Sequence, residues 1–201
     1  MKAIALNGTL KKSGGEPSST DKMLELILGF LRNEGVVGET IRLADYRIEP
    51  GVKSDEGNGD EWPGIRKRIL DADILILGTP IWLGQPSSVA KRALERMDAF
   101  LSEKDDGGRM APYGRVAAVA VVGNEDGAHH VSAELYQALN DVGFTLAPNA
   151  VSYWVGEAMQ GKDFKDLDEV PEAVISAAKM LARNTAHLAR ILRAEGFPAV
   201  T

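Results

Sequence analysis

At 201 residues and a formal charge of −6, the chain has the length of one large domain, which buries roughly 70% of its unfolded surface without a covalent staple. It has no cysteine, which excludes disulfides, thiolate metal sites and cysteine nucleophiles and suits a cytoplasmic setting. Acidic and basic residues are interspersed, so the clustered basic surface that nucleic acids need is missing, and no run approaches the ~20 apolar residues that span a bilayer.

Met1 leads straight into KAIALN without a basic leader or a long apolar segment, which argues against a signal peptide. The three histidines are not spaced among carboxylates as metal ligands would be, so no metal is expected. Ala3 to Leu6 is a short apolar run ending at Asn7-Gly8, a first strand. A loop of Gly, Ser, Lys and Pro covers Thr9 to Ser19. Met23, Leu24, Ile27, Leu28 and Leu31 then recur at helical spacing, closing at Asn33-Glu34-Gly35. Glu39 to Leu43 predicts a second strand. Asp45 to Trp62, with Pro50, several glycines and several acids, predicts a surface loop.

A helix from about Pro63 to Ala72 precedes Asp73-Ile-Leu-Ile-Leu-Gly78, an unbroken apolar run of the kind buried on both faces of a sheet. Pro80 to Pro86 reads as a loop, with Ser87 or Ser88 capping the next helix, on which Val89, Ala93, Leu94, Met97 and Leu101 form a stripe. Val116 to Val122 is another strand, and the polar segment Gly123 to His130 opens a helix marked by Leu135 and Leu139. Phe144 to Tyr153 predicts a fifth strand. The last helix, about Pro171 to Glu195, carries Val174, Ala178, Leu181, Thr185, Leu188 and Leu192 on a three-to-four spacing. Five strands alternating with five helices imply an α/β fold, a parallel sheet covered on both faces in one doubly wound domain over residues 1–201. Ligands of such folds sit beyond the carboxyl ends of the strands.

Three loops at those ends differ from ordinary connections. In the first, Thr9, Ser18, Ser19 and Thr20 bring hydroxyls to a helix start, where free N–H groups and the helix dipole favour an anion, and Lys11 or Lys12 can neutralise part of its charge. Neither G-x-G-x-x-G nor G-x-x-x-x-G-K-[ST] is present, so a single terminal phosphate fits better than a dinucleotide. The same residues would also serve a plain solvated loop with a helix cap. In the second loop, Trp82 and Leu83 offer apolar surface to a flat heteroaromatic ligand, Ile81 to Gln85 offer backbone groups, and Gly84 permits close approach. Trp82 in core or at a subunit contact is the competing reading. In the third, Gly123-Asn-Glu-Asp-Gly127, Asn124 and backbone N–H groups can bond a ligand's polar edge, or the segment is simply a turn. His129 and His130 follow it, with either able to donate a hydrogen bond.

Taken together, LNGT-x-K…SST, TPIWLGQPSS followed by K-x-x-L-E-R-M-D, and VGNEDGAHH resemble the NADPH-dependent FMN reductase family of the flavodoxin-like superfamily, over roughly Lys2 to Val155. The first motif departs from the family by an insertion around Gly14 to Pro17. The resemblance implies a flavodoxin-like three-layer sandwich on a five-stranded parallel sheet and non-covalently bound flavin mononucleotide (FMN). It puts the phosphate at Thr9, Lys11, Ser18, Ser19 and Thr20, and the ring between Pro80, Ile81, Trp82, Leu83, Gly84, Gln85 and Gly123, Asn124, Glu125, Asp126, Gly127. It further implies NAD(P)H as co-substrate, a flavin, quinone or similar small molecule as electron acceptor, and a homodimer or homotetramer. No acid–base residue is needed, because the flavin carries the redox chemistry. A flavodoxin-type electron carrier and a non-catalytic FMN-binding protein are the alternatives; the lack of Phe, Tyr or Trp in Gly123 to His130 leaves one ring face open and favours a reductase.

Overall fold

The computed structural model describes residues 1–200. Five parallel strands, β1 (Lys2–Asn7), β2 (Val37–Arg42), β3 (Ile74–Trp82), β5 (Val116–Val122) and β6 (Thr145–Trp154), lie in the order β2-β1-β3-β5-β6; β4 (Gln85–Pro86) pairs only with the end of β3. Counting the parallel strands alone, the order is 2-1-3-4-5, the doubly wound arrangement of flavodoxin-like folds. Helices α1 (Ser19–Asn33), α2 (Trp62–Leu70), α3 (Ser88–Met97) and α4 (Ala128–Asp141) make the four crossovers, and α5 (Glu172–Ala194) follows the last strand and packs back on the sheet.

Strand alternation divides the core into two layers. Ile4, Leu6, Val119 and Val121 pack with Trp62 and Ile65 of α2, Met97 of α3 and Leu135 of α4. Ala3, Ala5, Ala118 and Ala120 face the other way, and these small side chains admit Leu24, Ile27 and Leu31 of α1 and Ala178, Leu181 and Ala182 of α5 against the sheet. All seven residues of β5 are buried, as a central parallel strand requires. Among the described residues no helix is long and apolar enough to cross a membrane.

Two sequence expectations need correction. Pro80 to Pro86 is a hairpin rather than a loop: β3 runs on to Trp82, Ile81 pairs with Pro86, and Trp82 pairs with Gln85. Leu83 and Gly84 form its tip at φ 53° and 73°, the two left-handed positions of a type I′ turn. Strand β6 reaches Trp154 and carries an irregularity, since Ala117 pairs with Leu146 but Val119 with Val151; Pro148 cannot join the ladder and Asn149 has φ 55°. The Asp45–Glu61 segment is the surface loop expected, tied to α3 by one buried ion pair. Arg96 of α3 and Asp60 form an ion pair of 2.7 Å with both side chains fully buried. Arg96 also donates to the carbonyls of Glu49 (2.9 Å) and Lys53 (2.8 Å). Burial would raise the Asp60 carboxyl, but Arg96 and the N–H groups of Glu56, Trp62 and Glu49 hold it down to about 2.

Candidate functional site

The carboxyl ends of β1, β3 and β5, with the segment that follows β6, surround a cavity of about 410 Å³, within the range of small-molecule pockets. Its walls include Thr9, Lys11, Ser18, Ser19 and Thr20 from the first loop, Pro80, Ile81 and Trp82 from the hairpin, and Gly123 and Asn124 after β5. Ten of the sixteen residues singled out from sequence thus meet in one place.

The first wall is shaped by a residue that sequence reasoning passed over. Asn7, fully buried at the end of β1, donates its side-chain amide to Asp21 and accepts the Thr9 N–H at 2.9 Å, while Asp21 is also paired with Arg42. Gly8 passes so close to its neighbours that a Cβ there would meet the Ala90 Cβ at 2.8 Å and the Gly78 carbonyl at 2.9 Å. The Ser87 hydroxyl donates to the Gly8 carbonyl at 2.5 Å and accepts from Ala90 N, so Ser87, not Ser88, caps α3. Ser18 stands at the start of α1 in an extended conformation and its side chain makes no capping bond, so the first-turn N–H groups have no side-chain cap from it. Lys11 is paired with Glu16 at 2.9 Å, which holds the Glu16 carboxyl below its usual range.

Leu83, Gly84, Gln85, Glu125, Asp126 and Gly127 do not line the cavity. Most of them fasten the hairpin to the β5–α4 loop: Leu83 N donates to Glu125 Oε1 at 2.9 Å, and a Cβ on Gly127 would meet the Gly84 Cα at 2.9 Å. Asp126 accepts from Gly127 N within its own turn. His130 lies 3.0 Å from the Gln85 amide, and His129 meets the Tyr153 hydroxyl at 3.1 Å; neither histidine reaches the cavity wall. Trp82 is 53% exposed, so it is not a core plug.

The fourth wall was not expected. Asp163 and Lys165, from the segment between β6 and α5, line the cavity. Asn124 donates its side-chain amide to Asp163 at 3.1 Å, and its carbonyl accepts from Met159 N at 2.7 Å. The sequence signal was slight: in KDFKDLDE, Phe164 and Leu167 are the two residues that a solvated acidic run would not need.

A larger cavity of about 760 Å³ opens at the opposite rim, but most of its charged side chains already have partners. Arg66 pairs with Glu103, Arg109 with Asp105, and Arg115 donates to the carbonyls of Leu70 and Ala111. No group of three or more His, Asp or Glu side chains able to hold a metal occurs among the described residues.

Comparison with known proteins gives a concordant result. The family described as NADPH-dependent FMN reductase matches residues 1–160. The 8-demethyl-8-aminoriboflavin-5′-phosphate synthase of Streptomyces davaonensis is 32% identical over 203 residues, covering 96% of this chain and 79% of that protein. The divalent metal cation transporter MntH of Mycobacterium bovis is 38% identical over 201 residues, and this chain spans only 29% of its length. Among solved structures, RosB with the bound intermediate 8-demethyl-8-formylriboflavin-5′-phosphate superimposes with a TM-score of 0.88 at 31% identity, covering 98% of this chain and 82% of that one.

Proposed function

The chain belongs to the NADPH-dependent FMN reductase family of flavin oxidoreductases, and from that premise we propose that it binds one FMN in the four-walled cavity and moves hydride from NAD(P)H to a small acceptor such as a quinone or free flavin. The observation that carries this reading is the convergence of Thr9, Ser18, Ser19, Thr20, Pro80, Ile81, Trp82, Gly123 and Asn124 on one cavity. The chemistry of the two ends matches a phosphorylated ring. Hydroxyls, Lys11 and the start of α1 receive the phosphate. Ile81 and Trp82 cover part of a flat ring, and Asn124 with the backbone at Gly123 meets its polar edge.

FMN, when bound, supplies the hydride-accepting atom. The protein's share is to hold the ring, to bond its edge and to leave a face accessible. The β5–α4 loop contributes no aromatic side chain, so that side stays open to a second planar molecule. Leu83 (91% exposed), Met159 (87%) and Trp82 (53%) leave an apolar fringe at the mouth, which supports a homodimer or homotetramer as the working unit.

Purified protein should be yellow, release FMN on denaturation and oxidise NADH or NADPH steadily once a quinone or free flavin is added. A colourless protein whose absorbance and fluorescence ignore added FMN would end the proposal. A second reading is favoured by the likeness to the Streptomyces davaonensis synthase, which runs over nearly the whole chain: the flavin phosphate itself is consumed. Mass analysis of flavin recovered after turnover separates the two, since a reductase returns FMN unchanged.

A further inference from the structure

We propose that Lys165, on the segment joining β6 to α5, is a ligand of the flavin 5′-phosphate, kept in reserve by Asp166 until the phosphate displaces that carboxylate. The inference rests on the FMN reading above and adds to it a residue beyond position 160, where the family match ends.

Three observations carry it. Lys165 lines the same end of the cavity as Lys11, Ser18, Ser19 and Thr20, and its side chain is 21% exposed. Its backbone is fixed there: Lys165 N donates to Ser19 Oγ at 3.1 Å, Lys22 Nζ donates to the Leu167 carbonyl at 2.7 Å, and the preceding Phe164 is fully buried against Trp154 with ring centroids 5.5 Å apart. Only the side chain beyond this anchor is free to pivot. Its ammonium group is occupied by carboxylates, at 2.7 Å from Asp166 Oδ2 and 3.3 Å from Asp163 Oδ2.

Asp166 is a weak holder. It is half exposed and lies outside the cavity wall, so solvent screens its pull on Lys165. A phosphate monoester carries a charge of about −1.5 to −2 at neutral pH and offers three acceptor oxygens, so it outcompetes the screened Asp166 carboxylate, with Asp163 at 3.3 Å left as the ammonium's second partner. Lys11 and its exposed partner Glu16 repeat the arrangement across the same end of the cavity. Both lysines are therefore neutralised at rest, and an anion need only exchange partners with them.

The test is paired fluorescence titration with FMN and with riboflavin, which lacks the phosphate, on the wild type, Lys165→Met and Asp166→Asn. Lys165→Met should raise the Kd for FMN about tenfold or more and leave that for riboflavin unchanged, as loss of one charge-assisted bond requires. Asp166→Asn should shift FMN the other way, tightening it by roughly two- to fivefold with riboflavin again unmoved. Equal losses for both flavins in Lys165→Met would make the residue a support of the loop, and unchanged FMN binding would remove it from the site; either overturns the inference while the FMN reading stands. Wild-type protein that binds neither flavin would overturn both.

Discussion

Two long irregular segments flank the sheet's carboxyl rim, and in sequence they look alike. Residues 45–61 and 155–171 both combine glycines, a proline and several carboxylates. The first ends as a strap outside the cavity, the second as its fourth wall. Their anchors explain the difference. The 45–61 segment turns its critical carboxylate inward, where Asp60 meets Arg96 with both side chains at 0% exposure, and nothing of that pair is left to face a ligand. The 155–171 segment is anchored by an apolar side chain, Phe164, which frees its neighbours Asp163 and Lys165 to face the cavity. Both segments bury an apolar residue, Ile48 in the first and Phe164 in the second, so what separates strap from wall is where their charged neighbours turn.

Breaking the first anchor should have the largest effect. Asp60→Ala leaves the Arg96 guanidinium buried without its counter-charge, and unfolding in urea should show a loss of about 4 kcal/mol. The ratio of FMN to riboflavin affinity in the folded variant should not change, because no residue of that segment lines the cavity. Phe164→Ala removes a fully buried ring and should cost about 3 kcal/mol by the same measurement. Unlike Asp60→Ala, it should also weaken FMN binding, since Asp163 and Lys165 lose their fixed position. If both variants affected flavin binding alike, the distinction between strap and wall would collapse.

Acid sharpens the contrast more gently. The Asp60 carboxyl is held near 2 in the folded protein, below its ordinary value of 3.8. A depressed carboxylate contributes stability that is complete above its unfolded pKa and lost as pH falls through the folded one. Stability should therefore drop between roughly pH 4 and pH 2, and in Asp60→Ala that part of the decline should be missing from an acid-unfolding curve. The carboxylates of the other segment are exposed, and Asp166→Asn should leave the same curve nearly where it was.

The contrast also marks how far the sequence could be read. Apolar runs such as Val116 to Val122 gave their strands directly, because a strand buried on both faces leaves little choice of residue. The loops holding Thr9, Ser18 and Asn124 were visible because each directly follows or precedes such a strongly patterned element. The hairpin was hidden: prolines at positions 80 and 86 suggest a loop, and Leu83 at positive φ is not the residue a type I′ turn advertises. Lys165 was hidden for another reason. Its place depends on Ser19, 146 residues away, and on Phe164 finding Trp154, and no local pattern encodes a contact at that range.

The smallest expected effect tests which helix holds the fourth wall. Lys22, on α1, donates to the Leu167 carbonyl at 2.7 Å and lies 5.5 Å from the centre of the Phe164 ring. Lys22→Met keeps the apolar stem but gives up that hydrogen bond and the cation–π contact, so stability should fall by only about 1 kcal/mol. If α1 positions the wall through Lys22, FMN should bind several-fold more weakly while riboflavin changes less, because the affected end of the cavity is the one nearest Ser19. If Phe164 alone suffices, both flavins should bind as before. The first result would make the start of α1 both the phosphate's seat and the mount for the loop that closes over it.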